Sequence, residues 1–193
     1  SIGTGALSGN TAFDGEQFRI EGAGMGLDSL NDQFHYSYQS LRGDGSITLR
    51  FVPQPSSQFS SFGLMMRDEL TENSAHASLI IYPGKTSHIE APGWHLRFIT
   101  RGATGGASAI KNMSGVLADP VVTHGRLTGY YWLKLERKGN TFTASGSADG
   151  KTWTEAGREI IPLKKAFYVG IPVSSGIKGK STTVFFDNVR IDN

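Results

Sequence analysis

Apolar and polar residues alternate with period two through most of this chain. From Tyr131 to Arg137, Tyr131, Leu133 and Leu135 fall on one side of a strand, and Trp132, Lys134 and Glu136 on the other. Gly139-Asn140 then turns the chain, Thr141–Ser147 alternates again around Phe142 and Ala144, and Asp149-Gly150 makes a second turn into Thr152-Trp153. Asp-Gly and Gly-Asn suit tight hairpins because both turn positions need positive φ. The same reading predicts strands at Gln17–Glu21, Gln33–Gln39, Ser46–Val52, Phe62–Arg67, Ala77–Tyr82, Trp94–Arg101, Tyr131–Arg137, Thr141–Ser147, Thr152–Ala156, Ala166–Val173 and Thr182–Ile191. In Gln33–Gln39 the two faces are Phe34/Tyr36/Tyr38 and Gln33/His35/Ser37, and in Ser46–Val52 they are Ile47/Leu49/Phe51 and Thr48/Arg50/Val52. Near-clean alternation puts one face on a core and the other toward solvent or a ligand. No long 3.6-residue period occurs, and Asp68–Asn73 has room for one helical turn at most. Pro53, Pro55, Pro92-Gly93 and Asp119-Pro120 mark loops, and the Gly/Ala/Ser-rich stretch 102–125 reads as a long surface loop with one short strand. The expectation is an all-β, two-sheet antiparallel jelly-roll sandwich in which residues 1–193 form a single domain.

Composition narrows the function classes. With 193 residues, 38% hydrophobic and 19% charged, the chain has enough apolar material for one core and too little charge for disorder. The net charge of +2 and the short Lys164-Lys165 and Lys178/Lys180 pairs give no nucleic-acid signature. Cys is absent, which removes disulfides, thiolate metal sites and a Cys nucleophile. No apolar run approaches the length of a membrane span. No signal peptide is visible at Ser1, and the first residues read as the interior of a longer polypeptide.

Several polar residues sit where strands begin or end. Arg67-Asp68 closes the Phe62 strand. A guanidinium fork beside a carboxylate offers donors and acceptors to a vicinal diol, or else pins the strand end as an ion pair. Asn31-Asp32-Gln33 opens the aromatic strand, where short polar side chains serve either as turn caps or as ligand contacts. His76 enters the next strand, placed to donate to a sugar hydroxyl or to cap a carbonyl. His95, Arg97 and Arg101 share one face of their strand, opposite Trp94, Leu96 and Phe98. Among the tryptophans, Trp132 lies on a polar face and suits a sugar-stacking platform, whereas Trp153 reads as the hairpin's core anchor. Asp14, Glu16 and Asp187 would meet if the terminal strands pair, giving oxygens for a structural calcium.

Catalytic signatures are missing. Retaining glycosidases need two carboxylates about 5–5.5 Å apart, and no strand carries alternating acids such as Glu-x-Asp-x-Glu. Asp68, Glu69 and Glu72 have the wrong spacing. Gln33-Phe34-His35 resembles the Gln-x-His of alginate lyases, but the accompanying Arg-rich and Tyr-containing strands are absent. Neither H-E-x-x-H nor G-x-S-x-G occurs. Ser147-Ala148-Asp149-Gly150-Lys151-Thr152-Trp153 resembles the aspartate box, a turn-stabilising element, with one residue fewer between Asp and Gly.

GMGLDSLNDQFHYSYQ at 24–39, FGLMMRDELTENSAHASLIIY at 62–82, RGATGG at 101–106, WLKLERKGNTFTASGSADGKTW at 132–153 and VFFDNVRI at 184–191 occur in a familiar order. Together they resemble the concanavalin A-like, laminin G-like modules appended to bacterial secreted glycoside hydrolases and polysaccharide lyases, levanase-type fructan-binding modules included. The resemblance implies a secreted, non-catalytic carbohydrate-binding module. Its partners would be a polysaccharide or oligosaccharide and a covalently linked catalytic domain, with no nucleic acid, membrane or required cofactor. The expected binding residues are Asp32, Gln33, Arg67, Asp68, His76, Arg101 and Trp132, with Arg67 and Asp68, helped by Asp32 and His76, forming a compact polar pocket for a terminal sugar. The alternatives are a jelly-roll glycoside hydrolase or lyase and a laminin G-like protein-binding domain.

Overall fold

The computed structural model describes residues 1–4, 7–27, 29–52, 59–83, 94–112, 122–123, 126–127 and 131–193. Among them are fifteen strands and no helix. They are β1 (Asn10–Phe13), β2 (Gln17–Gly24), β3 (His35–Arg42), β4 (Gly45–Val52), β5 (Ser61–Arg67), β6 (His76–Pro83), β7 (Trp94–Arg101), β8 (Ala109–Asn112), β9 (Val122–Thr123), β10 (Arg126–Leu127), β11 (Tyr131–Lys138), β12 (Thr141–Ser147), β13 (Thr154–Ile160), β14 (Ala166–Ser174) and β15 (Ile177–Asp192). They form two antiparallel sheets. The first runs β1-β2-β15-β4-β11-β12-β13. The second runs β3-β14-β5-β6-β7-β10-β9, with β8 also on β7. The two-sheet sandwich expected from the alternation is therefore the observed fold. The turn signals at Pro53/Pro55, Pro92-Gly93 and Asp119-Pro120, and the side chains of Trp94 and His95, lie outside the described residues.

Alternation explains the core. Ile47, Leu49 and Phe51 of β4 stand beside Leu135, Leu133 and Tyr131 of β11, register partners on one face, and all are buried. From the second sheet Phe62, Leu64, Met66, Leu79, Ile81, Leu96 and Phe98 meet them to fill the space between the sheets. Each such side chain contributes on the order of 1.5–3 kcal/mol of burial free energy.

A second apolar cluster was not anticipated. Ile2, Leu27, Phe34, Tyr36, Met65, Ile80 and Ile99 pack together on the outward face of the second sheet, with Ile2, Leu27 and Phe34 supplied by the chain's own residues 1–4, 24–27 and 29–34. Every residue of β5 is consequently buried. Phe34 and Tyr36 join this outer cluster rather than the space between the sheets, and Tyr38, next along the stripe, stays exposed. Gly24 makes the covering segment possible. Its φ of +115° is in the glycine-favoured region, and a Cβ there would lie 2.1 Å from the carbonyl oxygen of Gln33. Isolated bridges Ile2–Phe34 and Gly26–Gln33 complete the attachment.

Tyr36 ties this layer down with its hydroxyl, which lies 3.0 Å from the Met65 carbonyl and 3.2 Å from that of Tyr168. Tyr36→Phe should lower stability by about 1 kcal/mol, the net value of one buried hydrogen bond, as read from a urea transition.

Candidate functional site

Strand register places Tyr168, Arg67, His76 and Arg101 abreast on the outward face of the second sheet, one each from β14, β5, β6 and β7. Asp32 descends onto this row from the covering segment. Arg101 donates to both Asp32 carboxylate oxygens, Nη1 at 3.0 Å and Nη2 at 2.8 Å. It also bonds the Ser74 carbonyl at 3.0 Å and the Ser29 carbonyl at 2.6 Å. Arg67 approaches Asp32 at 3.5 Å, donates from Nε to the Glu69 carbonyl at 2.6 Å and from Nη2 to the Thr71 carbonyl, and lies over the Phe34 ring. Burial pulls the Arg67 guanidinium down from its ordinary value, and Asp32 opposes that pull. His76 Nδ1 pairs with the Ser78 hydroxyl at 2.8 Å, while its Nε2 has no hydrogen-bond partner. Burial, reinforced by Arg101 and Arg67, holds the imidazole well below its ordinary pKa and therefore neutral.

Asp32, Arg67, His76 and Arg101 thus converge, although 69 residues separate Asp32 from Arg101. The open, sugar-gripping pocket expected of Arg67 and Asp68, helped by Asp32 and His76, is not what the geometry holds. The side chains of Asp32, Arg67 and Arg101 are 0% exposed, and His76 is equally buried. The network instead fastens the loops at 29–33, 69–74 and 101–105 to one another, aided by Asp32 N–H to the Glu72 carbonyl and Gly105 N–H to the Asn73 carbonyl.

Other expected members separate from this cluster. Asp68 does not pair with Arg67, because consecutive strand residues point to opposite faces. It turns instead to the Lys164 backbone N–H at 2.7 Å, and burial raises its pKa. Gln33 is half-buried and donates to the Thr4 carbonyl at 3.1 Å, securing the N-terminal segment. Trp132 belongs to β11 in the other sheet, so it shares no pocket with Arg67. Its indole lies under Gly150, where a Cβ would come within 2.7 Å, and beside Arg50. Trp132 is thus the hairpin's support, and Trp153 is a half-buried ring under Lys134 Nζ at 4.5 Å rather than a core anchor.

The aspartate-box resemblance describes the turn well. Ser147 Oγ accepts from Gly150 N–H, Asp149 accepts from the N–H groups of Lys151 and Thr152, and these bonds hold the Asp149 carboxyl at about 2. Two of the three calcium candidates are otherwise engaged. Asp14 caps the turn by accepting from Glu16 and Gln17 N–H, and Asp187 forms a two-bond pair with Arg50. No cluster of three potential metal ligands occurs among the described residues.

Arg137 escaped the sequence reading. It is 4% exposed, donates to the carbonyls of Gly139, Leu163 and Lys164, and lies over the rings of Phe142 and Phe167. The second sheet has a further property that only the topology reveals. Strands β3, β5, β6, β7, β8, β9, β10 and β14 contain no Asp or Glu. Every strand carboxylate lies in the first sheet: Glu21, Glu136, Glu155, Glu159, Asp187 and Asp192.

No protein-family model matches the chain, and no curated protein matches it in sequence. Solved structures share its fold. A functionally unknown protein from Saccharomyces cerevisiae is similar at 14% identity and TM-score 0.66, over 94% of this chain and 90% of that one. The glycoside hydrolase family 43 protein BlXynB from Bacillus licheniformis is similar at 15% identity and TM-score 0.59, with 91% of this chain covering 32% of that one. The carbohydrate-binding module CBM66 from Bacillus subtilis is similar at 13% identity and TM-score 0.51, over 100% of this chain and 99% of that one. These likenesses define the fold, a two-sheet antiparallel β-sandwich.

Proposed function

We propose that this chain is a non-catalytic carbohydrate-binding module that holds a secreted polysaccharide-degrading enzyme on its substrate. The observation that carries the reading is the full-length likeness of the fold to a carbohydrate-binding module, end to end in both chains. The partial cover of the family 43 protein, a third of that chain, supports a domain that accompanies others. Binding is favoured over hydrolysis by the carboxylate-free second sheet. Glycoside hydrolysis as a rule needs one carboxyl group as acid and a second as base or nucleophile on the two sides of the scissile bond. The described strands of the second sheet offer no such pair, and Asp32, which lies on that sheet, is sealed against Arg101 and Arg67. On the first sheet, Glu136, Glu155, Glu159, Asp187 and Asp192 are each committed to a Lys or Arg.

Purified protein should be retarded in native gels containing a recognised soluble polysaccharide (levan, arabinoxylan and laminarin make a first panel) and should release no reducing ends from it. Reducing-end release that survives repurification and disappears on replacing one acidic residue would assign catalysis instead. Failure to bind any polysaccharide, together with specific capture of a protein, would favour the laminin G-like alternative.

A further inference from the structure

The outward row around Arg67 is sealed, so a saccharide needs another surface, and the two sheet edges provide one. β1 is the edge strand of the first sheet and β3 the edge strand of the second. Between them lies an open cleft of about 370 Å³ lined by Gly9, Asn10, Thr11, His35, Ser37 and Tyr38, with Tyr36 behind. That volume is at the small end for ligand sites and suits one or two sugar rings rather than a large cofactor.

The lining is preorganised. Thr11 Oγ1 bonds His35 Nε2 at 3.0 Å and contacts Ser37 Oγ, so two hydroxyls and an imidazole from facing edges already form one hydrogen-bonded group. His35 Nδ1 is buried without a hydrogen-bond partner. The imidazole packs against Gly9, where a Cβ would fall 2.2 Å from its Cγ, so any larger residue at that position would push the ring out of place. Burial depresses the His35 pKa, so the ring is neutral at neutral pH, with Nε2 committed to Thr11. Tyr38 supplies the apolar element. It is 48% exposed, yet fixed on two sides, stacked on Tyr36 at 5.2 Å and edge-on to Tyr168 at 5.3 Å.

We infer that this β1–β3 edge cleft is the saccharide-binding site, and that its ligand is a neutral sugar. The Thr11 and Ser37 hydroxyls and the Asn10 amide exchange hydrogen bonds with sugar hydroxyls in both directions, and the His35 ring holds those hydroxyls in place. A rigid, half-exposed tyrosine ring packs against the C–H face of a sugar ring. Among the described residues that line the cleft none carries a charged side chain at neutral pH, so no lining side chain compensates the desolvation of a uronate. The inference rests on the carbohydrate-binding reading and adds the location and the charge class of the ligand.

The experiment uses the intact chain and four soluble probes: levan, arabinoxylan, laminarin and alginate. Affinity electrophoresis first identifies the probe that retards the parent protein. Tyr38→Ala and Thr11→Val are then run on that probe, with circular dichroism confirming their folding. In parallel, amide chemical shifts of the parent are followed with an oligosaccharide of the same polymer. The expected result is retardation by a neutral polymer, at least about a tenfold loss of affinity in each variant, and shifts centred on residues 9–11 and 35–38. If the parent binds but both variants bind equally well, or the shifts centre on Trp132 or Arg97, the edge site is wrong and the carbohydrate reading stands. Preference for alginate over every neutral polymer overturns the charge class. If no probe retards the parent and none shifts its amides, the carbohydrate reading fails and the site falls with it.

Discussion

Asp32→Ala should destabilise the protein by about 3–5 kcal/mol, the range for removing one partner of a buried charge network. That is much of the 5–15 kcal/mol by which ordinary domains are stable. Asp32 has no exposed surface, and the guanidiniums of Arg101 and Arg67 both turn to it, the first through two bonds. Without the carboxylate, two cations stay in an interior that can neither hydrate them nor deprotonate them at neutral pH. The loops they fasten, at 29–33 and 69–74, would lose their common anchor. Asp32→Asn keeps the shape and loses the charge, so it should fall between parent and Ala variant. Glu155→Ala is the contrast. Its partner Arg158 is 59% exposed and the pair is open to solvent, so its loss should cost no more than about 0.5 kcal/mol. Urea transitions of the four proteins, followed by tryptophan fluorescence, measure the series. An Asp32→Ala shift below about 1 kcal/mol would mean that the arginines find other partners and that the network is not what closes this end of the sandwich.

The strands were legible because period-two alternation is a local property. The Ile47/Leu49/Phe51 and Tyr131/Leu133/Leu135 faces could be assigned from a few residues each, and both meet the core as expected. The Phe34/Tyr36/Tyr38 stripe shows the limit of that signal. Alternation states that a face is covered but not by what, and here the cover is the chain's own first residues and the segments 24–27 and 29–34. The same limit governs Arg67. Its sequence neighbour Asp68 was the obvious partner, yet neighbours on a strand diverge, and the true partner lies 35 residues away, brought in by a loop that only tertiary packing positions. Trp132 supports the turn that was expected to rest on Trp153, for a related reason. Both occupy the solvent side of their hairpin, and which indole sits under the Asp149-Gly150 turn depends on pairing register, with Trp132 opposite Ser147. The carboxylate-free second sheet and the β1–β3 cleft required knowledge of strand order, since β1 and β3 are edges of different sheets and no linear motif joins them.

Mild acid should weaken the fold well above the pH at which its low-lying carboxylates titrate, and His76 is the reason. It is wholly buried between Arg67 and Arg101 in the strand register, with Nδ1 on Ser78 and Nε2 unpartnered. Burial first, and the two guanidiniums next, keep its folded pKa well below the ordinary 6.5. In the unfolded chain the ordinary value returns. Between the two values the unfolded state binds a proton that the folded state refuses, so stability falls as pH falls, by up to about 1.4 kcal/mol per pH unit for one proton. The contribution is fully present above about pH 7, begins to fade near the unfolded pKa and continues to shrink toward the folded one. From pH 7 to pH 5 the loss attributable to His76 should be at most about 2 kcal/mol, the ceiling for one proton. His35, lowered mainly by its own burial, adds a smaller change of the same sign. The carboxylates with lowered values, Asp14, Asp149 and Asp187, act below that window, because their stabilisation is lost only as pH falls through the ordinary carboxylate range and beneath it. His76→Asn keeps a group where Nδ1 meets Ser78 and cannot take up a proton. It should be less stable than the parent at pH 7 because of the vacated volume, yet flatter between pH 7 and pH 5 by close to one proton. Urea midpoints at three pH values across that range give both slopes. Parallel slopes for parent and variant would show that His76 titrates normally in the folded protein, and that the buried row does not hold it neutral.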